Sequence, residues 1–165
     1  MMNLFARALG GIVSDRFGKT LGLKGRVRWL FLALFCEGLL LIAFSQARET
    51  VPAIAMLLLV GLFVKMSNGA TYAVVPFINR EALGSVAGIV GAGGNVGAVA
   101  AGFLFKGSLE WSTALLILGC AVTVASFVTF SVRFTAECEV AAQAAFAAIK
   151  GGTPVELTPT AAEAI

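Results

Sequence analysis

Histidine is missing from this sequence of 165 residues, and charged residues make up only 13% of it. The absence of histidine removes the commonest proton shuttle and metal ligand of proteins. The three cysteines, Cys36, Cys120 and Cys138, are far apart in the sequence, so their spacing indicates neither a metal cluster nor a disulfide framework. No segment collects a nucleophile, a base and a set of metal ligands. We therefore predict no cofactor, no metal site and no enzymatic activity.

Apolar residues dominate the sequence instead. They make up 59% of it, and the mean hydropathy of +0.94 does not fit a soluble domain of this length. About 20 apolar residues cross the hydrocarbon core of a bilayer, and four segments are long enough to do so: 29–47, 52–79, 82–105 and 111–132. The apolar segment 1–15 is shorter, and we interpret it as the second half of a spanning helix. The prediction is an all-α membrane protein with about four and a half transmembrane helices.

Basic residues between the apolar segments set the expected orientation, because Lys and Arg favour the cytoplasmic side of a membrane. The segment 16–28 is the most basic connection; its cationic residues are Arg16, Lys19, Lys24, Arg26 and Arg28. We expect it to be a cytoplasmic loop of a multi-pass protein in the inner or plasma membrane of the cell. The tail, residues 133–165, is then cytoplasmic too, and its late glycine, proline and threonine residues predict that it is largely disordered.

A spaced motif, Gly11-x-x-x-Asp15-Arg16-x-Gly18, leads into the basic segment. Gly11 permits close packing at a helix end, Asp15 can pair with a basic residue or cap a neighbouring helix, and Gly18 supports a tight turn. A generic positively charged loop explains the charges but not the spacing of glycine and aspartate. The motif resembles the loop motif of the major facilitator superfamily, which lies between the second and third helices and again between the eighth and ninth.

Arg7 lies about two helical turns before Asp15, on the membrane side of the motif. An arginine within a bilayer costs about 2.5–3.5 kcal/mol on insertion scales and normally faces a polar cavity, so it should have an anionic partner. Glu37 is one candidate partner, and a bound anion is the other. Because a guanidinium group can bond two oxygens of a planar oxyanion at once, Arg7 is a candidate substrate-binding residue. Structural ion pairing or snorkelling to the interface is the alternative.

Glycine recurs every three or four positions through residues 84–102. Each glycine costs a helix roughly 1 kcal/mol relative to alanine, so its repetition predicts that the backbone closely approaches another helix or a small ligand. One face of such a helix carries Gly84, Gly88, Gly91 and Asn95. Helix packing is the alternative role for each glycine. The amide of Asn95 could bond an anion or a neighbouring backbone.

Three of the polar side chains in the apolar segment 52–79, Lys65, Asn68 and Tyr72, have a spacing that places them on one helix face. A lysine in an apolar span can exchange protons, so Lys65 is a candidate for coupling or for the positive field of a pathway. It could also pair with Glu37. Tyr72 either shapes the helix or lines the pathway with its hydroxyl group. We take these three as candidate pathway or coupling residues.

Two segments resemble one family within that superfamily, the nitrate/nitrite porters. Residues 4–18 (LFARALGGIVSDRFG) are similar to its eighth helix and following loop, and residues 70–102 are similar to its tenth and eleventh helices. The family carries a glycine-rich nitrate signature on its fifth and eleventh helices, and AGIVGAGGNVGA, residues 87–98, matches the second copy. The resemblance implies that Arg7 is one of two arginines, one from each half of the transporter, that clamp nitrate. It implies that the glycine-rich helix packs beside them, so Gly88, Gly91 and Asn95 are candidate substrate-binding residues.

A complete member of this family has twelve spanning helices in two halves with the substrate between them, so this chain corresponds to only part of one. The resemblance predicts the C-terminal part of a nitrate or nitrite transporter that works by alternating access. Its expected partners are the anion, the lipid bilayer and the missing N-terminal half, with no nucleic acid, and a truncated or incomplete gene is the expected origin. The alternatives are a major facilitator transporter of another anion, or a truncated membrane remnant that does not transport.

Anion uptake requires an energy source, because entry into a negative cytoplasm costs about 2.3 kcal/mol per charge per 100 mV. Proton symport or exchange for nitrite could supply it. The sequence does not distinguish these two.

Overall fold

The computed structural model describes residues 2–78, 82–132, 134, 138–140 and 142. Its long elements, in chain order, are α1 (Met2–Ser45), α2 (Thr50–Val74) with the 3-10 turn Val75–Phe77, α3 (Leu83–Lys106), and α4 (Trp111–Val128) with the 3-10 turn Thr129–Ser131. Within the described residues, four helices are long and apolar enough to cross a membrane. The predicted all-α membrane fold is confirmed.

α1 consists of two helices joined by a break at Gly22, whose φ of 65° and ψ of −151° are not helical. A positive φ is open to glycine without the steric cost that a Cβ imposes, so the chain can turn here. The first half of α1 (residues 2–21) packs against its second half (residues 23–45). Trp29 ties them together, since its indole Nε1 donates a hydrogen bond of 3.1 Å to the carbonyl of Gly10.

The position of this turn corrects the sequence analysis. We expected residues 16–28 to form a loop with a tight turn at Gly18, but Gly18 is buried inside the helix, and within α1 only Gly22 departs from helical geometry. The reversal is short because Gly25 lies against the backbone of Phe17, where an added Cβ would force the chain apart. The basic segment is therefore the end of one helix, a turn, and the start of the next.

Small residues also set the contact between α1 and α4. A Cβ on Gly38 would meet the backbone nitrogen of Thr123 at 2.7 Å, and one on Gly119 would meet Ile42 Cγ1 at 2.8 Å. Close backbone approach of this kind is typical of helix packing in membranes. Beside it lies a cluster of aromatic rings, formed by Phe31, Phe35, Phe127 and Phe130.

α3 is the least enclosed of the four helices. None of its residues is buried, and the side chains of Ile89, Val96 and Phe103 are 74%, 70% and 68% exposed. Its main contacts are with α4 and with the 3-10 turn that follows α2. The predicted tail, residues 133–165, lies outside the described part of the chain except for 134, 138–140 and 142. Its disorder and the membrane orientation stay predictions.

Candidate functional site

Arg7 lies where the first half of α1 crosses α2 with the two backbones in contact. Gly10 packs against the backbone of Met66, and Gly69 packs against the carbonyl of Arg7. A Cβ on either glycine would lie closer to these backbone atoms than van der Waals contact allows, so the crossing requires both glycines. The crossing thereby fixes the position of the Arg7 backbone relative to α2.

The side chain of Arg7 is exposed, and its guanidinium carbon lies 4.9 Å from the centre of the Tyr72 ring. A cation over an aromatic face is attracted by the ring's negative charge, which holds the guanidinium beside α2. Within the described part of the chain, Arg7 forms no ion pair with a carboxylate. Glu37, its candidate protein partner, instead accepts a hydrogen bond of 2.6 Å from Ser67. Arg7 and Glu37 therefore do not form an ion pair in this structure.

Tyr72 connects this arginine to the glycine-rich helix. Its hydroxyl oxygen lies 3.7 Å from the place that a Cβ on Gly91 would occupy. Tyr72 of α2 thus lies against both Arg7 of α1 and Gly91 of α3. Asn95 follows Gly91 by about one helical turn and is exposed. Gly88 precedes it by about one turn, and a Cβ there would meet nothing within 4 Å.

Lys65 and Asn68 share α2 with Tyr72 but lie further along it. Lys65 is half-buried and Asn68 is exposed. Asn68 precedes Tyr72 by about one helical turn, so it extends the polar face on that side of α2. Among the described residues, Lys65 has no carboxylate within ion-pair distance, and the alternative that it pairs with Glu37 is not observed.

The loop motif is tied to α2 next to the site, at the residue that follows Tyr72. Asp15 accepts a hydrogen bond of 2.6 Å from Arg26, whose second terminal nitrogen donates to the carbonyl of Ala73, also at 2.6 Å. The Arg26 guanidinium also lies 4.8 Å from the centre of the Phe77 ring. Its side chain is only 8% exposed. One arginine therefore joins both halves of α1 to the end of α2.

The remaining motif residues have simpler surroundings. Arg16 is exposed at the surface, and a Cβ on Gly11 would meet nothing within 4 Å. The backbone nitrogen of Gly11 lies 3.2 Å from the place that a Cβ on Gly69 would occupy. Close packing at the crossing with α2 therefore depends on the missing Cβ of Gly10 and not on that of Gly11.

Comparison with known proteins adds relatives to this geometry. The chain is 40% identical to the High affinity nitrate transporter 2.5 of Arabidopsis thaliana over 109 residues, which are 66% of this chain and 22% of that protein. It is 34% identical to Nitrate transporter 2.2 of Chlamydomonas reinhardtii over 113 residues, 67% of this chain and 22% of the relative. The Nitrate/nitrite transporter NrtP of Picosynechococcus is 40% identical over 103 residues, 60% of this chain and 18% of that protein.

Over the matched residues, the chain belongs to the family of nitrate and nitrite transporters. The resemblance predicted from the sequence is thereby confirmed. The chain spans about a fifth of the length of these relatives, and the matched region is their C-terminal portion. No family model and no solved structure matches the chain.

Proposed function

We propose that this chain is the C-terminal part of a nitrate or nitrite transporter and that Arg7 binds the anion. The observation that carries the proposal is the position of Arg7: two glycines hold its backbone against α2, an aromatic ring holds its guanidinium, and no described carboxylate neutralises it. An arginine in a membrane span needs an anionic partner or a polar cavity. A small oxyanion supplies such a partner.

The chemistry of the site suits a planar anion. A guanidinium presents its N–H donors as a rigid fork that can bond two oxygens of nitrate or nitrite at once. Gly91 lies beside Tyr72 without a side chain, and Gly88 faces open space, so an anion could approach the helix backbone closely there. Asn95 is exposed one turn away and adds an amide donor.

The transporter works, in this proposal, by alternating access between two halves. One face of α3 carries Gly93, Gly94 and Gly97, and among the described residues a Cβ on any of the three would meet nothing within 4 Å. Helices with small residues pack closely in membranes, so this face is where the N-terminal half would pack. We place the protein in the inner or plasma membrane with its C-terminal tail in the cytoplasm.

The test begins with the DNA upstream of the codon for Met1, which should encode the N-terminal half in the same frame. Cells that lack nitrate uptake then receive the complete protein, or the same protein with Arg7→Lys or Arg16→Lys. Lysine keeps the charge but loses the bidentate fork. We expect Arg7→Lys to abolish uptake and Arg16→Lys to retain it, because Arg16 lies exposed outside the site. Equal uptake by all three proteins would refute the role of Arg7.

Substitutions in the glycine-rich helix separate nitrate transport from transport of another anion. If nitrate is the substrate, Gly91→Ala and Asn95→Ala should weaken nitrate binding, because Gly91 lies beside Tyr72, the ring that holds Arg7, and Asn95 supplies the proposed amide donor. If the unaltered protein binds a different anion and does not bind nitrate, and the two variants lose that binding, the substrate is the other anion. If the upstream DNA does not encode the missing helices, the non-transporting remnant is favoured instead.

A further inference from the structure

Glu37 is a carboxylate that neither the loop motif nor the anion site uses. It lies on the second half of α1, in the interior of an apolar span, and is only 9% exposed. Ser67 of α2 donates a hydrogen bond of 2.6 Å to its Oε2 atom. Ionisable side chains within membrane spans are costly and usually serve ion or proton pathways. The position of Glu37 therefore calls for a chemical role.

The helices next to Glu37 provide no described cation that pairs with it. On α2 the charged side chain is Lys65, two positions from Ser67 and thus about 200° around the helix, and it forms no ion pair with Glu37. Tyr72 is the other titratable residue of α2, and its ring lies against Arg7. Arg7, on the first half of α1, forms no ion pair with Glu37 either.

The residues on α4 and on the second half of α1 also provide no cation for Glu37. α4 and the 3-10 turn that follows it contain no Asp, Glu, Lys or Arg, and the titratable side chain on α4 is the thiol of Cys120. On the second half of α1, the adjacent Cys36 is the other titratable residue between Trp29 and Ser45. Burying a carboxyl group without a paired cation costs less free energy when the group can also exist in its neutral, protonated form.

Ser67 can satisfy both forms of the carboxyl group. Its hydroxyl oxygen lies 2.6 Å from Glu37 Oε2 and 3.1 Å from the carbonyl oxygen of Val64. A hydroxyl has one hydrogen to donate and can also accept. When Glu37 is ionised, Ser67 donates to it. When Glu37 carries a proton, its O–H can donate to Ser67, and the serine hydrogen turns to the Val64 carbonyl.

We infer that Glu37 is a proton-binding site within the membrane span. One proton from water binds a carboxylate oxygen, the charge of the side chain changes from −1 to 0, and the serine hydroxyl rotates between two acceptors. No other bond forms or breaks. Because a rotation is enough, the site can gain and lose its proton without backbone movement.

The proton site and the anion site lie on neighbouring positions of α2. Ser67 contacts Glu37, and Gly69, about 3 Å further along the helix axis, contacts the Arg7 backbone. A displacement of α2 at this level would therefore affect both sites. Glu37 is thus placed to carry the proton of a proton–anion symport. This coupling role rests on the proposed function, whereas proton binding by Glu37 does not.

Infrared difference spectroscopy of the purified chain in lipid nanodiscs tests proton binding. As the pH is lowered, we expect the carbonyl band of a buried protonated carboxyl group to appear, to be absent in Glu37→Gln, and to persist in Glu49→Gln, whose side chain is exposed. Glutamine can still accept from Ser67, so this variant should fold, and its melting temperature checks that. In Ser67→Ala the band should move in frequency because the hydrogen-bond partner is lost. An identical band in Glu37→Gln would overturn the inference.

The coupling role needs a second experiment, on the complete transporter in liposomes. We expect Glu37→Gln to bind nitrate but to lose the several-fold stimulation of uptake by an inward proton gradient. Stimulation that survives in this variant, with nitrate binding intact, would overturn the coupling role alone. If the unaltered protein binds no nitrate, the proposed function fails while the infrared result still stands.

Discussion

Two adjacent glycines in α1 show how much depends on a single missing side chain. A Cβ on Gly10 would run into the backbone of Met66, whereas a Cβ on Gly11 would meet nothing within 4 Å. Backbone atoms cannot move aside as the end of a flexible side chain can. The contact between the first half of α1 and α2, and with it the position of Arg7, therefore depends on Gly10.

We predict opposite effects for the two alanine variants. Gly10→Ala should lower the free energy of unfolding by about 1–3 kcal/mol, the usual cost of overpacking. Gly11→Ala should leave it unchanged or raise it by up to about 1 kcal/mol through helix propensity. Unfolding of both variants in detergent, followed by circular dichroism, measures the difference. Equal stability of the two variants would show that the crossing is not as close as the structure has it.

The ring of Tyr72 is the second feature at this scale. It lies beneath the Arg7 guanidinium, and such a contact contributes about 0.5–1 kcal/mol at exposed sites. In the complete transporter, Tyr72→Leu should therefore raise the KM for nitrate about two- to fivefold, because the guanidinium is no longer held in place. Tyr72→Phe is the matched control and should keep most of the affinity, since it keeps the ring. A loss in the phenylalanine variant as large as in the leucine variant would assign the effect to the hydroxyl instead.

At the scale of helices, Arg26 is the main polar connection. It bonds Asp15 on the first half of α1 and the Ala73 carbonyl at the end of α2. A hydrogen bond that involves a charged group contributes about 1.5–3 kcal/mol to the free energy of unfolding. The motif residue Asp15 thus acts through a partner on the other side of the turn at Gly22.

We predict that Arg26→Gln lowers the free energy of unfolding by about 2–3 kcal/mol, because glutamine is uncharged and cannot bond both Asp15 and the Ala73 carbonyl. Arg16→Gln is the control: Arg16 is exposed, and among the described residues it takes part in no ion pair. Chemical unfolding of the purified chain in detergent compares them. A similar loss of stability in both variants would mean that the effect comes from net charge rather than from these contacts.

The same elements show what the sequence could and could not predict. Apolar length identified the spanning helices, because a bilayer imposes a minimum span that composition alone reveals. The loop motif predicted the turn at the wrong glycine. Both Gly18 and Gly22 permit a turn, and the choice between them depends on the packing of Gly25 against Phe17. Spacing also placed Tyr72 on a polar face, but its contact with Arg7 depends on a helix crossing.

Contacts between helices were the part that sequence reasoning missed. Asp15 was expected to pair with a basic residue or to cap a neighbouring helix. The segment 16–28 contains five cations, so the sequence made Arg26 no better a candidate for the pair than the others. Glu37 was considered as a partner of Arg7 or Lys65, and its actual partner is Ser67, a residue with no periodic signal. Gly69 offered one usable sign, since a glycine in the interior of an apolar helix indicates close packing.

At the scale of the whole molecule, the most informative feature is the glycine face of α3 formed by Gly93, Gly94 and Gly97. Among the residues that the structure describes, nothing lies within 4 Å of a Cβ placed on these glycines, so larger side chains meet no steric barrier there. In a complete transporter the same face would pack against helices of the other half, where an added side chain would separate them. Stability of the chain and assembly of the transporter should therefore respond differently to the same substitution.

We predict that Gly94→Leu and Gly97→Leu leave the melting temperature of the chain within a degree or so of the original value or raise it, because leucine favours a helix over glycine. In the complete protein, both should lower nitrate uptake at least tenfold, a loss that corresponds to about 1.4 kcal/mol. Val99→Leu, on the same helix and 60% exposed, serves as the control of similar size. Full uptake by both glycine variants would mean that this face meets lipid rather than protein.

The most direct test of the account is the affinity of the purified complete transporter for nitrate, measured by calorimetry for the original protein, Arg7→Lys and Arg16→Lys. If Arg7 binds the anion through its bidentate fork, Arg7→Lys should weaken binding at least tenfold, equivalent to about 1.4 kcal/mol, while Arg16→Lys binds as before. If Arg7→Lys binds nitrate as tightly as the original protein, the anion lies elsewhere and the central claim is wrong.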